Sequence, residues 1–278
     1  MVFETPAVAV SARDLSIHYP TRKPENRAIA VSGATFDIAR GEIIAVVGET
    51  GSGKSTLAET IAGMGGTSRP GSPQIRGGSV KVLGTEVRDI SHRQRDRLTL
   101  RVGYLPQDAG SLLAPRLTVG ENVAEPIYSR DKRFNPFDAG EAVATLIDAV
   151  RLPFSTMNKY PHELSKGQRQ RIAIARALIL EPVLLVADDP TAGIDVTVRG
   201  AILDIIRELQ RERAFSALVV TADLAEVKRV SDRLMVMHRG YIVGHGDVDD
   251  VLGDPKHPYV EELAQSLHRT AKEDARVD

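Results

Sequence analysis

The chain has 278 residues, enough to bury a full core in one large domain or two small ones. Its 36 Lys and Arg are balanced by 37 Asp and Glu for a formal charge of −1, so no global basic field argues for a nucleic-acid partner. Cysteine is absent, which excludes disulfides and any Cys-ligated zinc or iron–sulfur centre.

From the amino end, Met1 to Pro6 lack the basic and apolar regions of a secretory signal. Val8 to Tyr19 and Ala28 to Ile38 alternate as two strands, with the polar stretch Thr21 to Arg27 as the loop between them. Tyr19 is open to two readings, a ring that stacks on a purine or a half-buried strand aromatic. The apolar run Ile43 to Val47 then leads into Gly48-Glu49-Thr50-Gly51-Ser52-Gly53-Lys54-Ser55-Thr56, followed by the helix-compatible Leu57 to Ile61. This is G-x-x-x-x-G-K-[ST] between a strand and a helix, the setting that makes it a phosphate loop. Gly48, Gly51 and Gly53 let backbone N–H groups, with that of Ser52, curl round a β-phosphate without a Cβ in the way. The helix that follows points its positive end at the anion. Lys54 supplies a mobile cation for the β- and γ-phosphates, and the Ser55 hydroxyl is placed to ligate Mg²⁺.

Gly63 to Pro73 reads as a punctuated loop, Ser79 to Leu83 as a strand, His92 to Arg101 as a charged helix and Val102 to Leu105 as a short strand ending at Gln107. Between about Ser111 and Leu164 the pattern turns helical, clearest at Gly140 to Val150, and the core strands resume afterwards. That order describes an inserted helical subdomain. Near its end, Ser165 is a good N-cap and Gly167 leaves a backbone amide open, so the helix from there to Leu178 begins at a second anion-directed terminus. Val183 to Ala187 is a buried strand ending in Asp188-Asp189-Pro190-Thr191. A carboxylate at the carboxyl end of a central strand beside a phosphate loop is where a Mg²⁺-coordinating Asp is needed, and Asp188 fits. His162, His238, His245 and His257 lack ligand spacing and read as surface or packing residues. The charged tail from Arg269 to Asp278 reads as frayed. The longest apolar segment, Ala177 to Ala187, is interrupted by Glu181 and Pro182 and is too short to span a bilayer, so any membrane association is expected to run through a partner.

These motifs resemble, in order and over essentially the whole chain, the nucleotide-binding subunit of an ATP-binding cassette transporter: Walker A at Gly48 to Thr56, the Q-loop Gln107, the signature Leu164-Ser165-Lys166-Gly167-Gln168, Walker B at Asp188 and the D-loop Ala192-Gly193-Ile194-Asp195. The resemblance implies an α/β P-loop NTPase with a RecA-like core and an antiparallel β subdomain (residues 1–106 and 176–252), an inserted helical subdomain (107–175) and a C-terminal extension (253–278). It implies ATP and Mg²⁺ as cofactors. Tyr19, Gly48, Gly51, Ser52, Gly53, Lys54, Ser55, Thr56 and Gln107 would hold the nucleotide, Ser55, Gln107 and Asp188 the metal, and Gln107 and Asp189 would serve the chemistry. In that family two subunits clamp two ATP molecules head to tail, so Ser165, Gly167 and Gln168 would serve a partner's γ-phosphate. The motions pass to two transmembrane permease subunits, and the subunit sits peripherally on the cytoplasmic face of the membrane. Tyr160-Pro161-His162-Glu163-Leu164-Ser165 and Asp254-Pro255-Lys256-His257-Pro258-Tyr259 resemble the peptide and nickel importer branch, which also uses an external solute-binding protein. Some of that branch carry a cysteine cluster near the tail, and this chain cannot.

Two departures stand out. Asp189 replaces the glutamate that polarises the attacking water, and Ala222 replaces the switch histidine. A catalytic group displaced by ~1 Å slows a step on the order of a hundredfold, and loss of one preorganised donor costs about 3 kcal/mol. Binding should therefore survive while hydrolysis weakens. The expectation is a heterodimer in which this chain holds MgATP and its signature completes the site of an unlike partner. Lys166, where the family has glycine, is read either as a cation near phosphate or as a solvated side chain. Accessory cassette ATPases of soluble enzyme complexes, as in phosphonate breakdown, also resemble this branch and form the alternative; a nucleic-acid cassette protein fits neither the charge nor the single cassette.

Overall fold

The computed structural model describes residues 7–19, 29–65 and 72–274. The opening segment 1–6, the expected loop 21–27, the middle of the punctuated loop at 66–71 and the end of the tail at 275–278 lie outside them.

Strands β1 (Val8–His18) and β2 (Ile29–Ala39) pair antiparallel, their alternation burying Val10, Ala12, Leu15 and Ile17 on one face. Next come β3 (Ile43–Gly48) and α1 (Lys54–Ile61). Strand β4 (Gln74–Val82) takes the other edge of β1 and pairs with β5 (Thr85–Glu86), giving the antiparallel order β2-β1-β4-β5. It starts five residues before the expected Ser79 because Gly77 and Gly78 hide its alternation. Gly78, at φ +63°, brings its backbone so close to β1 that a Cβ would lie 2.2 Å from the Arg13 carbonyl oxygen, and the register slips there.

Helix α2 (His92–Arg101) opens on a Ser91–Gln94 capping box and feeds β6 (Val102–Leu105). The helical insertion consists of a 3-10 turn at Ala109–Leu112, α3 (Val119–Arg130) and α4 (Pro136–Ala149). The last begins before the expected Gly140 because Asn135 caps it and Pro136 occupies its first turn. Helix α5 (Lys166–Leu178) runs unbroken across residue 175, packing on α3 and α4 and, through its far end, on β6, so insertion and core share it.

Strand β7 (Leu184–Asp188), α6 (Val196–Arg213), β8 (Ser216–Val220), α7 (Leu224–Val230), β9 (Arg233–His238) and β10 (Tyr241–Asp247) complete a sheet of order β10-β9-β3-β8-β7-β6, parallel except at β10. It is buried on both faces, and the period of two splits its side chains between two cores. Ile44, Val46, Val186 and Leu218 join α1 and the antiparallel sheet, whereas Ala45, Val47, Ala187 and Val219 join α3, α5, α6 and α7. Helices α8 (Val248–Gly253) and α9 (Pro258–Asp274) close the chain. The charged tail is helical as far as Asp274 rather than frayed from Arg269, since Tyr259, Val260 and Ala264 bury one side of α9 against α7, α8 and β10. None of the described helices is long and apolar enough to cross a membrane.

Candidate functional site

The parallel strands deliver their carboxyl ends to one rim, where β3 ends at Gly48, β7 at Asp188, β8 at Val220 and β6 two residues before Gln107. There a cleft of about 390 Å³ is lined by Tyr19, Gly51, Gly53, Lys54, Ser55, Thr56, Gln107, Asp188, Asp189 and Ala222, with Ile29, Ala30, Thr50 and Val220. Residues spread over more than 200 positions of sequence thus meet in one place.

The loop Gly48 to Gly53 has the shape its glycines permit. At Gly48, φ +151°, a Cβ would stand 2.0 Å from the Met237 carbonyl oxygen; at Gly53, φ +103°, it would stand 2.1 Å from that of Ala30. Ser52 is buried, and its carbonyl accepts from the Gly240 N–H at 3.1 Å. Lys54 is 9% exposed, and its ammonium donates to the carbonyls of Gly48 (2.6 Å) and Glu49 (2.8 Å). Burial lowers its proton affinity, against the attraction of Asp188, Asp189 and Glu49. The Ser55 hydroxyl donates to Asp188 Oδ1 at 3.0 Å, joining the two phosphate-site motifs directly. Thr56 is buried, and its hydroxyl is 2.9 Å from that of Tyr19, which anchors the tyrosine at the cleft wall. Tyr19 stands just past the end of β1, half-buried at the cleft wall.

The acids at the rim crowd one another. Burial raises the proton affinity of Asp188, partly offset by the Ser55 hydrogen bond and Lys54. That of Asp189 is raised by burial, then by the charges of Glu226 and Asp188, and Glu59 is raised by burial and then by Asp188. A divalent cation would relieve this. Among the described residues no three His, Asp or Glu side chains close a metal cage. One carboxylate, one hydroxyl and the amide of Gln107 make a donor set suited instead to Mg²⁺, which keeps waters and shares phosphate oxygens with its ligand.

The remaining expected residues stand apart from this cleft. Ser165, Gly167 and Gln168 begin α5 on a reciprocal capping box, the Gln168 N–H donating to Ser165 Oγ (3.3 Å) and the Ser165 N–H to Gln168 Oε1 (2.9 Å). Lys166 is half-exposed, and its ammonium lies 3.5 Å from Asp108 Oδ1 and 2.2 Å from where a Cβ on Gly193 would be. It ties the α5 start to the residue after Gln107 and to the turn after β7, a half-exposed contact contributing at most about 1 kcal/mol.

One buried acid beside the cleft escaped the sequence reading. Glu226, on α7, is 8% exposed, and its Oε2 accepts from Thr191 Oγ1 (2.9 Å) and Thr221 Oγ1 (2.8 Å). It ties the turn after Asp189 to the turn that carries Ala222. Arg199 stands 3.9 Å from its other oxygen and donates to the Ile194 carbonyl at 2.9 Å. The available signal was an acid beside Val227 and one turn before Val230, on the apolar side of a short helix.

A family profile described as ABC transporter matches residues 31–192. An oligopeptide transport ATP-binding protein, OppF, of Salmonella typhimurium is 34% identical over 273 residues, covering 96% of this chain and 79% of that protein. A putative peptide import ATP-binding protein of Brucella ovis is 35% identical over 269 residues, covering 95% and 79%. Among solved structures, the dimeric post-hydrolysis state of the ATP-binding cassette MJ0796 bound to ADP and Pi superposes with a TM-score of 0.75 at 24% identity, covering 86% of this chain and 98% of that one. Part of the cbiONQ complex, cbiO1 of Clostridium perfringens, gives 0.76 at 24%, covering 90% and 92%. These two likenesses support the P-loop cassette fold alone.

Proposed function

The chain belongs to the ABC transporter family, and from that premise we propose that it is the ATP-binding subunit of a peptide-type importer whose own site holds MgATP firmly and hydrolyses it weakly. The observation that carries the reading is the composition of one cleft, where every group needed to bind is present and two groups needed to cut are altered. Lys54 and the loop amides would take the phosphates, and Ser55 and Asp188, already hydrogen-bonded, would hold Mg²⁺ with Gln107 nearby. The metal would neutralise phosphate charge. Asp189 would orient the water on a side chain one methylene short, and Ala222 offers the γ-phosphate no donor.

The second half of the reading concerns assembly. Ser165, Gly167 and Gln168 lie outside the cleft, which supports their service to another chain's nucleotide, and the unequal sites favour a non-identical ATPase partner. Permease subunits would dock in the groove of about 520 Å³ between α2, α3 and α5, which reaches Pro106, next to Gln107, and exposes Leu100 and Leu112. That puts the subunit on the cytoplasmic face of the membrane, with an external binding protein in the full system and no nucleic acid. An accessory ATPase of a soluble enzyme complex is disfavoured, since the relatives carry transport and import names. The test is the purified chain: MgATP binds, and turnover is slow and little altered by Asp189→Asn. Brisk turnover that Asp189→Asn abolishes would refute the weak-site reading.

A further inference from the structure

The tail motif that resembles the importer branch packs, through His238, beside the phosphate loop. The turn between β9 and β10 lies under that loop: Met237 walls Gly48 and Gly53, the Gly240 N–H donates to the Ser52 carbonyl, and Arg239 and Gly240, at φ +48° and +87°, form the tight hairpin turn that brings them there. His238 lies between Met237 and Arg239, with 18% of its side chain exposed and its Nδ1 3.7 Å from Glu49 Oε2, too far for a hydrogen bond; that Nδ1 is buried with no hydrogen-bond partner. On its other side stands the tail. Tyr259, 9% exposed, stacks on the His238 ring at 4.3 Å, and His257 lies 5.8 Å away. The Tyr259 N–H donates to His257 Nδ1 at 3.1 Å, which fixes the start of α9, and burial, then the charge of Glu49, raises the proton affinity of the Tyr259 hydroxyl.

We propose that the segment His257 to Tyr259 is a brace on the nucleotide loop. Tyr259 and His238 are positioning residues that hold Glu49 and the Met237–Gly240 turn against Gly48 to Gly53, so that the C-terminal extension sets the chain's affinity for a nucleoside triphosphate. The physical reason is preorganisation. A loop made of glycines has the most backbone freedom to lose when its amides converge on an anion, and a rigid aromatic stack on its outer side removes part of that loss before the ligand arrives. Loop and tail are separated by about 200 positions in sequence, and one histidine ring lies between them. The inference rests on the nucleotide reading above.

The experiment is titration of the full chain with a fluorescent ATP analogue and Mg²⁺, beside thermal unfolding without nucleotide, for Tyr259→Leu, Tyr259→Phe, His238→Gln and Val260→Ala. Val260 is buried on the same helix and packs beside Gly244 of β10, so its variant loosens the tail at a point away from His238. Expected is a Kd raised about tenfold in Tyr259→Leu, about threefold in Tyr259→Phe, which keeps the stacked ring, and unchanged within twofold in Val260→Ala despite a comparable fall in melting temperature. Should Tyr259→Leu not fold, the Phe and Gln variants carry the same comparison. An unchanged Kd in the Tyr259 and His238 variants, or an equal rise in Val260→Ala, would overturn the brace while leaving the ATPase reading intact. A wild-type chain that fails to bind would instead remove the nucleotide reading and the brace with it.

Discussion

On the proposed reading, Asp189→Glu with Ala222→His should turn this cleft into a briskly hydrolysing one. Asp188 pairs with Val220 across β7 and β8, and the Asp189 N–H donates to the Val220 carbonyl at 3.0 Å, which keeps the turn carrying Ala222 beside Asp189. Ala222 lines the cleft and is exposed, so Ala222→His adds an imidazole without overpacking. A new donor at the γ-phosphate contributes about 3 kcal/mol, or roughly a hundredfold. Lengthening Asp189 to Glu recovers a misplacement of ~1 Å, on the order of another hundredfold. Asp189 sits at φ +50°, a region Asp tolerates better than Glu, which takes back less than about 1 kcal/mol. Both groups act on one reacting centre, so the gains do not simply add. Ala222→His alone should release phosphate roughly a hundredfold faster than wild type, Asp189→Glu alone about twenty- to a hundredfold, and the double variant 10²- to 10⁴-fold. The assay is single-turnover phosphate release from saturating MgATP at chain concentrations high enough to allow dimers, with binding measured in parallel. Lys54, Ser55 and Asp188 are untouched, so the Kd should hold within about threefold. A double variant that binds as wild type yet cuts no faster would refute the argument that these two positions limit turnover.

Two further outcomes follow from the packing and the charges. Glu226→Ala leaves the buried Thr191 and Thr221 hydroxyls without their acceptor, a loss of about 2–4 kcal/mol; urea unfolding should show it, while Glu226→Gln, which keeps an oxygen for both, should lose under about 1 kcal/mol. Glu125 receives hydrogen bonds from Ser129 and from Arg176, which hold its carboxyl below the usual range against the effect of burial. Its contribution is therefore present above the ordinary glutamate pKa and is lost as pH falls through the lowered one. Glu125→Gln should lower the unfolding free energy at pH 7 by no more than about 1 kcal/mol because the pair is half exposed, and the difference should vanish on acidification. A difference independent of pH would count against the pairing.

Sequence alone determined the parts that depend on local chemistry. The phosphate loop, the Ser165 cap, the charged helix His92–Arg101 and the strand ending at Asp188 were legible because glycine spacing, capping residues and hydrophobic period act over a few neighbours. The two positions proposed to weaken hydrolysis, Asp189 and Ala222, drew attention only through the family resemblance. What tertiary structure decided depends on distant chains meeting. Gly77 and Gly78 concealed the start of β4 because its register is set by β1, not by its own alternation. The direction of Lys166 was open until Asp108 and Gly193 were brought beside it. Glu226 is an ordinary helical acid in sequence and a buried hub only once Thr191, Thr221 and Arg199 surround it. The stack of Tyr259 on His238 beside Glu49 has no sequence signature, because a contact across about 200 positions is fixed by where the sheet ends and the last helix docks, and no local pattern records either.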